Sequence, residues 1–130
     1  MTPRDLAQRM LAKASQDEAL LDRVLEDAEI SDDVIGFHCQ QAAEKMLKAV
    51  LAARAVEYRR THNVRALADL LADAGHPLPQ DLQSLDTLTP YAVEARYDFL
   101  PASTSALNRK EARVLLRRLR VWAEEQIVQR

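Results

Sequence analysis

The sequence predicts an all-α protein: an up-and-down antiparallel bundle of four to five helices, in one domain spanning residues 1–130. Three observations lead there. Ala and Leu dominate the composition, glycines number only two and aromatic residues make up 5%, a balance that suits helices better than strands. Helix-start and helix-stop residues recur along the chain at intervals that leave room for helices. No alternating apolar pattern, internal repeat or linker interrupts them. A length of 130 residues fits one domain with one core.

Taken in order, Thr2 followed by Pro3 opens a first helix, a hydroxyl cap and then proline where its missing N–H costs nothing. Leu6, Met10, Leu21, Leu25 and Ala28 carry its apolar side to about Glu29. Ser31, with Asp32 and Asp33 behind it, caps a second helix and opposes its dipole; this helix is expected to reach about Ala55. "VEYRRTH" is a connection, and Thr61 or Asn63 caps a third helix, "VRALADLLADA". Gly75 stops it and "HPLP" forbids its continuation. Residues 79–97 read as a fourth, less regular helical stretch, bent where Thr89 precedes Pro90. "YDFLPASTS" is a loop. Asn108 and Glu111 make a capping box for a last helix, to about Ile127.

Net charge is only −2, which exerts no global pull on nucleic acid, yet its distribution is uneven. Residues 15–33 hold Asp17, Glu18, Asp22, Glu26, Asp27, Glu29, Asp32 and Asp33 against one Arg23, while the last helix carries Arg109, Lys110, Arg113, Arg117, Arg118 and Arg120. Two helices attracting each other, or two solvated faces, is the preferred account; a basic RNA-binding patch is the alternative. No apolar run approaches the roughly 18–20 residues that span a bilayer, and "MTPRDLAQRML" lacks the apolar segment of a signal peptide. The single Cys39 forms no intramolecular disulfide. A cytoplasmic protein without membrane contact is expected.

The second helix carries most of the candidate chemistry. At about 100° per residue, Ile35, Cys39, Ala42, Met46, Ala49, Val50 and Ala53 share a small apolar face. Gln41, Lys45 and Lys48 lie opposite, with His38 at the border. Phe37, Leu47 and Leu51 fall on the flank shared with Gln40 and Glu44, displaced from the core stripe, which suggests a second contact such as a subunit interface. Val114, Val121 and Val128, seven apart, form another surplus flank beside the last helix's core stripe of Ala112, Leu115, Leu119 and Trp122. At least one of these flanks is expected to lie between the subunits of a homodimer, although either would serve to cover the bundle's own side.

His38–Cys39 has the look of a metal or thiol site. Adjacent helical residues point about 100° apart, however, and His62 and His76 lie in separate loops with no second cysteine. Neither metal nor cofactor is expected, and Cys39 reads as a small buried hydrophobe. Glycine-rich phosphate loops and nucleophile elbows are absent. The remaining polar cluster is "LTPYAVEARYDFLP". There Arg96 sits beside Tyr97 and Asp98, a guanidinium fork and a ring suited to phosphate or base recognition. An equally weighted alternative has Arg96 tying down the loop through carbonyls or Asp98. In the functional account, Arg96, Tyr97, Lys45 and Lys48, with His38 and His62 within reach, make a cationic pocket for a phosphate-bearing ligand.

"FHCQQAAEKMLKAVLAARAV…THNV" followed by "LTPYAVEARYDF" resembles the HEPN domain, named for higher eukaryotes and prokaryotes nucleotide-binding, over roughly residues 5–125. The helix "FH-x-QQAAEK-x-LKA" and the later "Y-x-x-x-x-RY" are specific in combination. The resemblance implies a helical bundle, often dimeric, in many prokaryotic members encoded beside a small nucleotidyltransferase as a toxin–antitoxin-like pair. Other members are ribonucleases, with a histidine four to six residues after the arginine at a dimer cleft. After Arg96 this chain reads Tyr97, Asp98, Phe99, Leu100, Pro101, Ala102, Ser103, so that histidine is missing and with it the obvious general acid–base. The Gly-Ser and Asp-x-Asp signature of the nucleotidyltransferase is also absent. The expectation is a non-catalytic HEPN module binding nucleotide or RNA, a nucleotidyltransferase partner, or both. The alternatives are a HEPN ribonuclease with a displaced histidine and a purely structural dimerisation module.

Overall fold

The computed structural model describes residues 1–91 and 107–128. Among them are four α-helices, α1 (Pro3–Val24), α2 (Asp32–Ala53), α3 (Val64–Asp73) and α4 (Arg109–Val128), with a 3-10 segment, Gln80–Tyr91, between α3 and α4. No strand occurs among the described residues. The caps are those expected from the sequence. Thr2 Oγ1 accepts from Asp5 N at 3.1 Å while Thr2 N donates to Asp5 Oδ2 at 3.0 Å, a reciprocal box that satisfies two end groups of α1. Ser31, Asn63 and Asn108 cap α2, α3 and α4 in turn.

α2 is the axis of the bundle and packs against every other element. Ile35, Cys39, Ala42, Ala43, Met46, Ala49 and Val50 are at most 1% exposed. Asp32 binds Arg109 at 2.9 Å near one end of α2, and Arg54 donates to the Gln126 carbonyl at 2.8 Å at the other. α4 therefore runs parallel to α2. Ion pairs between α1 and α4 pair residue 22 with 113 and 18 with 120, so α1 runs antiparallel to α4. α1 is therefore antiparallel to both α2 and α4.

Two boundaries depart from the sequence reading. α1 stops at Val24 rather than near Glu29. The guanidinium of Arg109, 84 residues away, takes the carbonyls of Leu25, Asp27 and Ile30, and Asp27 Oδ1 accepts from Glu29 N, so tertiary and turn bonds replace the helical ones. α2 ends at Ala53 with Ala55 at φ 56°; Val56 N then bonds the Leu51 carbonyl at 2.9 Å, closing a left-handed cap. Gly75, at φ 90°, closes α3 in the same way, with His76 N on the Leu71 carbonyl. The irregular stretch is a 3-10 segment because Leu82, Leu85, Leu88 and Tyr91 recur every third residue and all four are buried, matching three residues per turn.

The two surplus apolar flanks prove unlike each other. Leu47 and Leu51 are completely buried within the chain's own core, so they are not displaced from it. Four elements surround α2, and its buried arc is therefore wider than the single stripe drawn on it. Phe37 is half-buried, its ring edge-on to His38 at 5.3 Å. Val114, Val121 and Val128 are 39%, 57% and 62% exposed. They stand opposite the α4 core rather than beside it: about 200° separates Leu119 from Val121.

Candidate functional site

The polar side of α2 is organised by two carboxylates. α1 places Asp17 at a core-facing position between Ala14 and Leu21, where it is 8% exposed. His38 and Lys45 are seven residues apart, two turns along one line of α2. Both reach Asp17: His38 Nδ1 lies 3.0 Å from Oδ1 and Lys45 Nζ 2.6 Å from Oδ2. Each partner keeps more than a quarter of its side chain exposed.

Glu44 anchors the second cluster. It is 4% exposed and meets Lys48 Nζ at 2.9 Å, His62 Nδ1 at 2.9 Å and Gln40 Nε2 at 3.0 Å. Gln40 also donates to the His62 carbonyl at 2.6 Å, which ties the α2–α3 connection onto α2. Lys48 lies 5.8 Å from the Tyr58 ring centroid, within cation–π range. Burial alone would raise the Glu44 carboxyl, but bonds from Lys48, Gln40 and His62 together outweigh it and hold Glu44 below its ordinary value.

Lys45 and Lys48 are thus each ion-paired to a carboxylate that is itself largely buried. The structure brings His38 with Lys45, and His62 with Lys48, into two separate clusters. Arg96, Tyr97 and Asp98 lie outside the described residues. The described residues on either side of that segment meet the N-terminal part of α2: Tyr91 packs on Gly36, where an added Cβ would come within 2.3 Å of the ring, and Leu107 N donates to Asp32 Oδ2 at 3.3 Å. Cys39 is completely buried and its thiol is pushed up to about 12, mainly by burial, which makes it unreactive.

On α4 the inward arginines serve the fold. Arg113 grips Asp22 with two bonds, of 2.6 and 3.1 Å, and Glu18 with a third. Arg120 binds Glu18 at 2.6 Å and the Leu11 carbonyl at 3.0 Å. The bond from Arg113 holds the Asp22 carboxyl below its ordinary value. The acidic stretch and the basic helix therefore attract each other, and only Lys110, Arg117 and Arg118 remain exposed on α4, too few for a basic nucleic-acid face.

A groove of about 600 Å³ lies elsewhere, between the α2–α3 connection and α3, lined by Glu57, Tyr58, Arg59, Asp69, Leu70 and Asp73 among others. Three carboxylates against one arginine make it a poor seat for a phosphate. Among the described residues no group of three or more His, Cys, Asp or Glu side chains could hold a metal, and no helix is long and apolar enough to cross a membrane.

The sequence reading missed Asp17, Glu44 and Gln40 as organisers. Asp17 and Glu18 interrupt the apolar series Leu11, Ala14, Leu21 of α1, and Glu44 sits four residues before Lys48 on an inward flank; carboxylates at core positions were the available signal. No curated protein and no solved structure matches the chain. The HEPN domain family model, by contrast, matches residues 7–124, a span that takes in α2 with its His38, Gln40 and Glu44, the Tyr91 contact and nearly all of α4. The chain belongs to the HEPN domain family.

Proposed function

We propose that the chain is a non-catalytic HEPN module that works as a homodimer and binds a nucleotide or RNA, a small nucleotidyltransferase partner, or both, as half of a toxin–antitoxin-like pair. The observation that carries the binding reading is the Asp17 cluster. One buried carboxylate fixes an imidazole and an ammonium side by side on a half-exposed face of α2. Arg96 follows Tyr91 by five residues, at most about 18 Å of extended chain, and Tyr91 rests on Gly36, half a turn from His38. A phosphate-bearing ligand seated there would meet Lys45, His38 and the Arg96 fork, with Tyr97 available to stack on a base. Calorimetric titration of nucleotides and short RNAs against wild type and Arg96→Ala tests this. Binding lost in a folded Arg96→Ala variant supports the site; unchanged binding removes it, and an unfolded variant makes Arg96 a structural tie.

The non-catalytic part rests on the histidine missing after Arg96. The pure protein is then expected to show no appreciable metal-independent RNA cleavage. One observation favours the ribonuclease alternative. His38 and His62 are each oriented through Nδ1 by a buried carboxylate, the way a general base is held for its task. Robust cleavage abolished by Arg96→Ala together with His38→Ala or His62→Ala would put the ribonuclease reading first.

A further inference from the structure

We infer that the outward face of α4 is a self-docking surface on which a second copy of this chain lies antiparallel, with Val121 on the two-fold axis. The inference rests on the reading of the chain as a homodimer and adds to it the surface, the direction and the register. Val114, Val121 and Val128 repeat every seven residues, the spacing that keeps a seam facing a partner helix. They occupy the middle of the exposed side of α4 and point away from the core. Other large exposed apolar side chains, such as Leu6, Leu20 and Val34, are scattered and form no such line.

Charge selects the occupant and its direction. Arg117 and Arg118 flank the stripe on the N-terminal side of Val121, and Glu124 and Glu125 flank it on the C-terminal side. In an antiparallel pair centred on Val121, 114 meets 128 of the second copy along the seam, while 117 meets 124 on one flank and 118 meets 125 on the other. Every arginine then meets a glutamate, and the valine stripe maps onto itself. In a parallel pair arginines would face arginines and glutamates would face glutamates, which is destabilising. Lys110 and Glu111 lie outside the paired span. The contacts these side chains make within the chain are long or exposed, as in Arg118–Asp81 at 3.6 Å and Arg117–Asp22 at 3.8 Å, so exchanging them on docking costs little.

Three valines cover too little area for a stable interface, for which about 800 Å² per partner is usual. The adjoining groove of about 390 Å³, lined by Pro79, Leu82, Val121 and Trp122 among others, extends the apolar surface beside the stripe. Trp122 is the only tryptophan, so its fluorescence reports on docking.

The test is oxidative cross-linking of the full chain carrying single cysteines, with the mass in solution measured in parallel. Buried Cys39 does not compete. Val121→Cys is expected to cross-link to itself, Val114→Cys alone is not, and an equimolar mixture of Val114→Cys and Val128→Cys is expected to form the mixed disulfide. Arg117→Glu/Arg118→Glu should be monomeric and should dimerise again with Glu124→Arg/Glu125→Arg, with a blue shift of Trp122 emission. Self-cross-linking of Val114→Cys would overturn the antiparallel register. A dimeric wild type in which Val121→Cys does not cross-link would overturn this surface alone, and a monomeric wild type would overturn it together with the homodimer reading.

Discussion

α2 and α4 both carry more apolar surface than a single bundle stripe requires, and they dispose of it in opposite ways. α2 is enclosed by four elements, so Leu47 and Leu51, drawn as a surplus flank, are fully buried. α4 touches the bundle on one side only, and its three heptad-spaced valines stay exposed. The polar residues divide likewise. Around α2, its His38, Lys45 and Lys48 and the connection's His62 are gathered by Asp17 and Glu44; on α4 the inward arginines are fixed to α1 and the outward ones are held loosely. A surplus flank is thus informative about a partner only once the number of neighbours around its helix is known.

The largest expected effect breaks this contrast directly. Leu51→Ala should cost about 2–5 kcal/mol, the range for truncating a buried leucine, while Val121→Ala should change the stability of the single chain by no more than about 0.5 kcal/mol. Urea unfolding of the two variants at low protein concentration checks this, and equal costs would erase the distinction. Next comes Gly36→Ala. Alanine is the better helix former, but the new Cβ meets the Tyr91 ring at 2.3 Å, and overpacking of this kind costs about 1–3 kcal/mol; thermal unfolding should show a net loss.

Glu44→Gln sharpens the comparison on the polar side and should cost about 1–2 kcal/mol. The Glu44 carboxyl is held below its ordinary value in the fold. Its contribution is therefore complete above the unfolded-state value and is lost as pH falls through the lower folded value. Wild-type stability should drop on acidification below about pH 5, and Glu44→Gln should flatten part of that drop. The smallest effect is at the end of α2, where Ala55 holds the left-handed position that Gly75 holds after α3. Ala55→Gly should stabilise by about 0.5–1 kcal/mol by relieving the strained Cβ, a rise in the unfolding midpoint that calorimetry resolves.

Much of the fold was legible in the sequence because caps are local. Thr2, Ser31, Asn63, Asn108 and Gly75 announce themselves within a turn of where they act. The α1 terminus was not, because Arg109 reaches it from 84 residues away, and no local pattern encodes that bond. The three-residue repeat of Leu82, Leu85, Leu88 and Tyr91 was present and was read only as irregular helix. Of the candidate site, His38, Lys45, Lys48 and His62 were picked out by residue type. Their grouping was hidden, since the buried carboxylates that collect them come from α1 and from the inward flank of α2. Arg96, Tyr97 and Asp98 lie outside the described residues.

The contrast between α2 and α4 is tested most directly by the mass of Val121→Asp in solution beside wild type, from about one to one hundred micromolar, a range that brackets a standard interface, with helix content followed by circular dichroism. A carboxylate in the middle of the outer face of α4 leaves the core untouched. The account predicts a wild-type dimer at tens of micromolar and a Val121→Asp monomer with the same helix content. A monomeric wild type, or a Val121→Asp variant that remains dimeric, would contradict it.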